Sequence, residues 1–597
     1  MCGIIGFISK GRKEDLIKNL VNSITHRGPD DNDYLIIDLG NGFLHLGSAR
    51  LSINGLNDGK MPMESDSGII IYNGELFEIN KLKNLIKRQT NTSNDTKHLL
   101  NLLDQEGVNA LNHLNGMYSF AYFNKKNNEL ILHRDNLGIK PLYFGKSVNY
   151  PLVFSSEIKP LLENQLIENI TSLESIYDTL AYGGIRKNNE FIKNLKSLDK
   201  NSYVLYKNEN FSINKIINTL PEGNEEKFEI NKFNTLFGEV VNDHLTADVD
   251  VNILLSGGID SSLLSYFASQ NFNKKVKVFT LAYENSNFNE EDRANKLAKS
   301  LELEHVKLKF PTEKNTEIID DLIHRLPEPI LDPSIVPTYY LSKEVSKYTK
   351  AVLSGDGADE LFGGYEWYRA MKIKEILTKF RLKNTQLNFL NVNLSSHLGI
   401  FTKLNRFSTL YHKNFAQQQL IWQNSSPLFK RFIENDYYDE YIYNKKLNKF
   451  SYNNLRDIDI DIYLYTNILK KSDTASMLNG LEIRPPFLDR RLVEYALRLD
   501  FKKQFSIFQT KLNLRNVLKQ FNKTQSNFTK KGFTHDFKDW SLNVGIPYLK
   551  TYSKDFEIIK ELDSFDNEYF LSHAGIRDVW KLYSVFKWLD INKTDVI

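Results

Sequence analysis

Two glycine-rich loops, each directly behind a short apolar run, constrain the fold of this chain more than any other feature. "DVNILLSGGIDSSLLSYFASQ" (250–270) reads as a buried strand, a loop of glycines and hydroxyl residues, then a helix. "VKVFTLAY" (276–283) predicts a second strand, "EDRANKLAKSLE" (291–302) a helix, and "AVLSGDGADELF" (351–362) a strand running into a loop. Strands alternating with helices predict a doubly wound parallel sheet, whose ligands bind beyond the carboxyl ends of the strands.

The first loop suits phosphate. Glycines let backbone N–H groups approach an anion closely, and a helix N-terminus adds a favourable dipole. No lysine stands at the Walker position, so this is not that loop; it reads as a pyrophosphate cradle. A lone Gly-Gly turn with a serine cap would be an ordinary connection. The second loop, "LSGDGADELFGGY" (353–365), argues against that, because it sets Asp356, Asp359 and Glu360 between glycines. Asp260 and Asp359 can then share Mg²⁺ on the phosphates of ATP, since hard oxygen ligands suit that ion.

The first ~200 residues read differently. "GFLHLGSARLSI", "GIIIYNGELF", "GMYSFAYF" and "ELILHRD" are short apolar or alternating runs, while "EDLIKNLVNSI" and "DTKHLLNLLDQEG" carry helical spacing. That combination predicts an α+β domain with stacked sheets. "NTLPEGNEEKFEI" (218–230), polar with Pro and Gly, marks the expected boundary. After about residue 365 helices dominate, ending in "VWKLYSVFKWL".

A chain of 597 residues is too long for one core. Its 77 Lys plus Arg against 74 Asp plus Glu leave a net charge of +3, so no basic surface points to nucleic acid. No leader and no 18-residue apolar run is legible, and one cysteine excludes a disulfide framework. A cytoplasmic protein with small-molecule substrates, and neither membrane nor nucleic-acid partners, is expected.

That single cysteine is residue 2, in "MCGIIGF". Removal of Met1 would leave Cys2 with a free α-amine. Such an amine has a pKa of about 7.7–8.0, whereas a lysine at about 10.4 is almost wholly protonated at neutral pH. The thiol is strongly nucleophilic once a base stands beside it. An N-terminal cysteine therefore supplies nucleophile and base together; an inert buried cysteine would not require position 2.

With these residues quoted, the chain resembles the glutamine-hydrolysing asparagine synthetase family. "SGGIDSS" is similar to the pyrophosphatase loop of ATP-dependent amidating enzymes, "SGDGADELFGGY" to the family's second loop, and "YTNILKKSDTASMLNGLEIRPPFLDRRLVEYA" to a later segment. "CGIIG", "HRGPDD", "ARLSI", "YNGEL", "RDNLGIKPLYFG" and "FSSEIKPLL" resemble the class II glutamine amidotransferase domain, an N-terminal-nucleophile αββα sandwich. The resemblance implies a glutaminase domain over 2–215 and an ATP-pyrophosphatase domain over 225–597, with a helical C-terminal part.

It also implies roles. Cys2 attacks the glutamine amide, with its α-amine as base. Asn73 and the N–H of Gly74 form the oxyanion hole. Arg50 pairs bidentately with the glutamine α-carboxylate, Asp95 takes the α-ammonium, and Leu51, Ser52, Ile53, Asn54 and Glu75 complete the pocket. In the second domain ATP adenylates a carboxylate, that of aspartate. Leu254, Ser256, Gly257, Gly258, Asp260, Ser261, Ser262, Leu281, Ser354 and Gly355 hold the nucleotide. Asp356 serves the adenylate step, and Lys511, in "TKLNLR", stabilises charge on the phosphate. Lys471 and Asp473, in "KKSD", match the family without an assigned role. An internal route keeps ammonia neutral between the sites. Similar enzymes include homodimers, so a dimer is an open expectation.

Three positions depart from the family pattern: Lys97 where Glu is usual, Asn124 where Asp is common, and Asp536 where Pro is frequent. The sequence leaves open a paralogous amidotransferase acting on a sugar acid or peptide carboxylate. It argues against a non-catalytic module, which would have lost Cys2, Arg50, Asp260 or Asp359.

Overall fold

A computed structural model describes residues 2–87, 92–185, 190–216, 226–270, 276–283, 290–379, 451–522, 537–552 and 572–597, with 556, 559 and 569 between. Most of the expected boundary stretch (217–225), and the departure at Asp536, lie outside the described residues.

The first half contributes strands β1 (Cys2–Ser9), β2 (Asp31–Asp38), β3 (Phe43–Arg50), β4 (Met63–Glu64), β5 (Gly68–Leu76), β6 (Gly116–Asn124) and β7 (Glu129–Arg134). They continue with β8 (Tyr143–Gly145), β9 (Leu152–Ser155), β10 (Ile170–Thr171), β11 (Leu195–Ser197), β12 (Ser202–Lys207) and β13 (Asn210–Lys215). Among the described residues these build two six-stranded antiparallel sheets, in the orders β11-β8-β9-β1-β3-β2 and β13-β12-β7-β6-β5-β4.

Period-2 alternation explains the stacking. Ile4, Ile8, Leu44 and Leu46 of one sheet meet Ile69, Ile71, Ala121 and Leu132 of the other in a common core. The alternate residues Ile5 and Phe7 instead pack with the helix Glu14–Ser23. Ile70, Tyr72 and Phe120 pack with Leu99, Leu100 and Leu103 of the helix Asp95–Glu106. The result is a four-layer αββα sandwich, as the sequence leads one to expect.

The second half carries β14 (Val251–Leu254), β15 (Lys277–Ala282), β16 (Glu304–Lys309), β17 (Ala351–Leu353) and β18 (Glu482–Arg484). All pair in parallel, in the order β16-β15-β14-β17-β18. The order reverses between β14 and β17, so both glycine loops leave the sheet side by side at a topological switch point. Helices pack around this sheet, and the last described helix, His573–Asn592, buries Trp580 and Trp588, whose indole N–H groups donate to the Ile330 and Leu326 carbonyls. A final strand, β19 (Asp595–Val596), returns to pair with β10 of the first half. No described helix is long and apolar enough to cross a membrane.

Candidate active sites

Cys2 opens β1 and stands opposite Arg50 in the β1–β3 ladder, so strand register alone brings the thiol-bearing residue and the arginine together. Its side chain is buried, and its backbone nitrogen donates to Asn73 Oδ1 at 3.1 Å. Asn73 and Gly74 lie on β5, opposite Ser119 and Tyr118 of β6. Gly74 has φ +156°, and a Cβ there would sit 2.2 Å from the Met117 carbonyl oxygen. Only glycine allows that approach. Burial pushes the Cys2 thiol pKa up; positive charge at the chain start, the Leu51 N–H and Arg50 pull it back.

The turn after β3 holds Arg50 in place. Its Nη2 donates to the carbonyls of Asn54, at 3.0 Å, and Gly55, at 2.7 Å. Ser52 N–H donates to Asp30 Oδ2 at 2.7 Å, which pins the same segment. Asp95, first residue of its helix, is buried and accepts from Leu76 N–H at 3.1 Å and Thr96 N–H at 2.8 Å. Those bonds favour the carboxylate, although burial raises its pKa. Glu75 is buried beside them and accepts from Asn54 Nδ2.

The loops beyond β14 and β17 form the second candidate site. Gly257, at φ +74°, turns the chain, and Gly258 caps the helix Ile259–Ser269. The Ser256 hydroxyl accepts from Gly258 N–H at 3.3 Å and lies 3.1 Å from the Ser261 hydroxyl. A Cβ on Gly355 would sit 2.8 Å from Asp260 Cβ, so the two loops pack directly on each other. Asp356 accepts from the hydroxyls of Ser354 and Ser472, each at 3.0 Å.

Lys511 joins the two acidic positions. Its buried ammonium lies 2.6 Å from Asp260 Oδ2 and 2.7 Å from Asp359 Oδ1. The sequence pairs Asp260 with Asp359 and leaves Lys511 apart; the structure brings all three together. Two carboxylates converging on one cation can share a divalent ion, and their hard oxygens suit Mg²⁺. Among the described residues no cluster of three or more Asp, Glu, His or Cys could hold a metal. Mg²⁺ here would therefore take its other oxygens from phosphate and water, as that ion commonly does. Glu360, buried beside Asp359, has its pKa raised to about 8 by burial and by that neighbour, so it is mostly neutral at pH 7.

Buried ion pairs tie the halves together. Arg27 donates to Glu157 Oε1 at 3.0 Å and to Asp473 Oδ2 at 2.8 Å, and its Nε reaches the Cys2 carbonyl at 3.3 Å. Lys140 also meets Asp473, at 3.2 Å. Asp473 thus receives a place that the sequence does not supply, between the two halves. Lys471 instead pairs with Asp332, at 3.3 Å, and with the Ser334 hydroxyl.

Burial raises the Glu157 pKa, but His26 and Arg27 outweigh it and hold the carboxyl at about 2. A carboxylate in the unfolded chain titrates near about 4.3, so this contribution is complete above that pH and is lost as pH falls towards 2. Glu157→Gln is expected to lower stability at pH 7 by about 1–3 kcal/mol, since Arg27 keeps Asp473. It should also remove part of the stability loss between pH 4.5 and 2, which thermal melts across that range would measure.

Residues 232–571, more than half of the chain, match the asparagine synthase family, and residues 1–216 match the glutamine amidotransferase domain. The chain belongs to the asparagine synthase family. Relatives in Bacillus subtilis (strain 168) include the glutamine-hydrolyzing asparagine synthetase 1, 29% identical over 87% of this chain and 84% of its own length. Asparagine synthetase 3 of the same organism is 25% identical over the same shares.

For an asparagine synthase, the residues most visible in this sequence are those on the two loops and at the chain start. Those least visible are Arg27 and Arg484, which join the halves: Arg27 reaches Asp473, and Arg484, on β18, lies 3.1 Å from Glu75. "LEIRPPF" and "HRGPDD" were signals that something is fixed there, but not what they touch.

Proposed function

We propose that this protein makes asparagine from aspartate, using the amide nitrogen of glutamine and the energy of ATP. The observation that supports it most is the coexistence, in one family member, of the Cys2–Asn73–Gly74 arrangement and the Asp260–Lys511–Asp359 bridge.

With Met1 removed, the Cys2 α-amine accepts the thiol proton and Sγ adds to the glutamine amide carbon. Asn73 and Gly74 N–H stabilise the oxyanion, Arg50 holds the α-carboxylate and Asp95 the α-ammonium. Leu51, Ser52, Ile53, Asn54 and Glu75 shape the pocket. The tetrahedral species collapses, the C–N bond breaks and ammonia leaves with a proton from the α-ammonium. Water then hydrolyses the thioester to glutamate.

At the second site a β-carboxylate oxygen of aspartate attacks the α-phosphorus of ATP, and pyrophosphate leaves towards the loop Ser256–Ser262. Leu254, Leu281, Ser354 and Gly355 frame the nucleotide. Lys511 stabilises charge on the departing phosphate, and Asp356 serves the adenylate step. Asp260 and Asp359 would hold Mg²⁺, which when bound supplies neutralising charge to the phosphates. Ammonia attacks the acyl carbon and AMP leaves. The sum is aspartate, glutamine, ATP and water giving asparagine, glutamate, AMP and pyrophosphate.

Ammonia in neutral water is mostly protonated and so loses its nucleophilic lone pair. Leu51, Ile53, Met117, Leu137 and Ile139 of the first half share a core with Ile253, Leu353 and Leu464 of the second. An apolar passage there would keep ammonia neutral between the sites. We also propose that the protein acts in the cytoplasm, with division into domains at 2–215 and 225–597; a homodimer is open to sedimentation.

Purified protein with a free Cys2 amine, given amide-¹⁵N glutamine, aspartate, ATP and Mg²⁺, is expected to yield ¹⁵N-asparagine and one AMP for each asparagine. Formation of ADP instead of AMP, or AMP only with a carboxylate other than aspartate, would overturn the assignment.

A further inference from the structure

Glu75 sits directly after Asn73 and Gly74 on β5, yet its cation comes from the other half of the chain. Arg484, on β18, places Nη2 3.1 Å from Glu75 Oε2. The same side chain is wholly buried: Nε meets Glu482 Oε1 at 2.5 Å, and Nη1 donates to the carbonyls of His244 at 2.8 Å and Thr246 at 3.1 Å. A fork held at this many points has little freedom to move, which lysine could not reproduce.

The contact continues into the glutamine pocket. Glu75 accepts from Asn54 Nδ2, and the Asn54 and Gly55 carbonyls orient the Arg50 guanidinium. On the other side, the Arg484 carbonyl accepts from Ser354 N–H at 2.9 Å, at the start of the second acidic loop. One residue thus has its side chain against the first site and its main chain against the second.

Charge makes the arrangement consequential. Burial raises the Glu75 pKa well above the usual carboxylate range; Arg484 opposes that, while Asp95 and Glu482 add to it. A buried carboxylate stripped of its cation takes up a proton or moves.

We propose that Arg484 is a positioning residue for glutamine binding, supplied by the nucleotide-binding half: it fixes Glu75 and Asn54, and through the Asn54–Gly55 turn aims Arg50 at the glutamine carboxylate. This rests on the glutamine site given above and assigns it a component that the first half lacks.

The test compares wild type, Arg484→Met and Arg484→Lys in glutamine hydrolysis, with ammonia-supported asparagine formation as the internal control. Arg484→Met should raise KM for glutamine about tenfold or more, with kcat changed less than about threefold, because grip on the amino-acid end is lost and the oxyanion hole is not. Arg484→Lys should fall between, and Glu75→Gln added to Arg484→Met should cost much less than the same change in wild type, the mark of a shared contact. Ammonia-supported synthesis should stay close to wild type. An unchanged KM in both variants, or equal loss of both activities, would overturn the inference while leaving the function intact. If Arg484→Met does not fold, Arg484→Lys decides by the same two readouts. A wild type that hydrolyses no glutamine would sink the glutaminase reading itself, and this inference with it.

Discussion

Cys2→Ala should lose glutamine-dependent asparagine formation by at least about a thousandfold, the scale on which loss of a covalent nucleophile acts. Asparagine formation from added ammonia should persist near the wild-type rate. The thiol is the only one in the chain, so no neighbouring cysteine can substitute for it. Its N–H bond to Asn73 and its register opposite Arg50 come from the backbone, so alanine leaves the strand intact. The β14 and β17 loops, made by other elements, are untouched. Comparing ¹⁵N transfer from glutamine with ¹⁵N from ammonium in one preparation gives both readouts. Retained glutamine use in the alanine variant would remove Cys2 from the mechanism; loss of both activities would mean that the two sites are not separable.

Lys511→Met has the second largest expected effect, and the opposite pattern. The Lys511 ammonium separates two carboxylate oxygens that its contacts allow to lie within about 5 Å, where two such charges repel by about 3 kcal/mol at an effective dielectric of 20. Without the lysine, Asp260 and Asp359 face each other. The variant is expected to melt at a lower temperature without divalent ion, and to regain more of that loss on adding Mg²⁺ than wild type gains. AMP formation should fall about 10²–10³-fold, as when one donor to developing charge is removed, while glutamine hydrolysis continues. Calorimetry with and without Mg²⁺, alongside an AMP assay, measures both. Unchanged AMP formation would remove Lys511 from phosphate stabilisation.

The local half of this structure was legible in the sequence. "GIIIYNGELF" opens on a continuous apolar run because β5 is buried on both faces, between the partner sheet and the helix Asp95–Glu106. "DVNILL" is apolar throughout most of its length because β14 is likewise covered on both faces. Cys2 and the two loops stood out because glycine, carboxylate and thiol chemistry is visible in short stretches. Pairings across the fold were not legible. Arg27 and Asp473 lie 446 positions apart, and nothing near either residue names the other. In the sequence Arg484 reads only as part of a family segment; β18 carries it against Glu75. The sequence points Lys511 at phosphate, but its partners, Asp260 beyond β14 and Asp359 beyond β17, follow only from the parallel sheet that aligns those two loops.

The ion pairs between the halves bear on how such a chain diversifies. A recombination event crossing over between residues 216 and 226 would join an Arg27 from one ancestor to whatever stands at 473 in another, and a Glu75 to a foreign 484. Each mismatch would strand a charge away from water. Ancestral shuffling of these two segments should therefore succeed only when the paired positions travel together, so that the boundary is a poor place for exchange despite its loop-like composition.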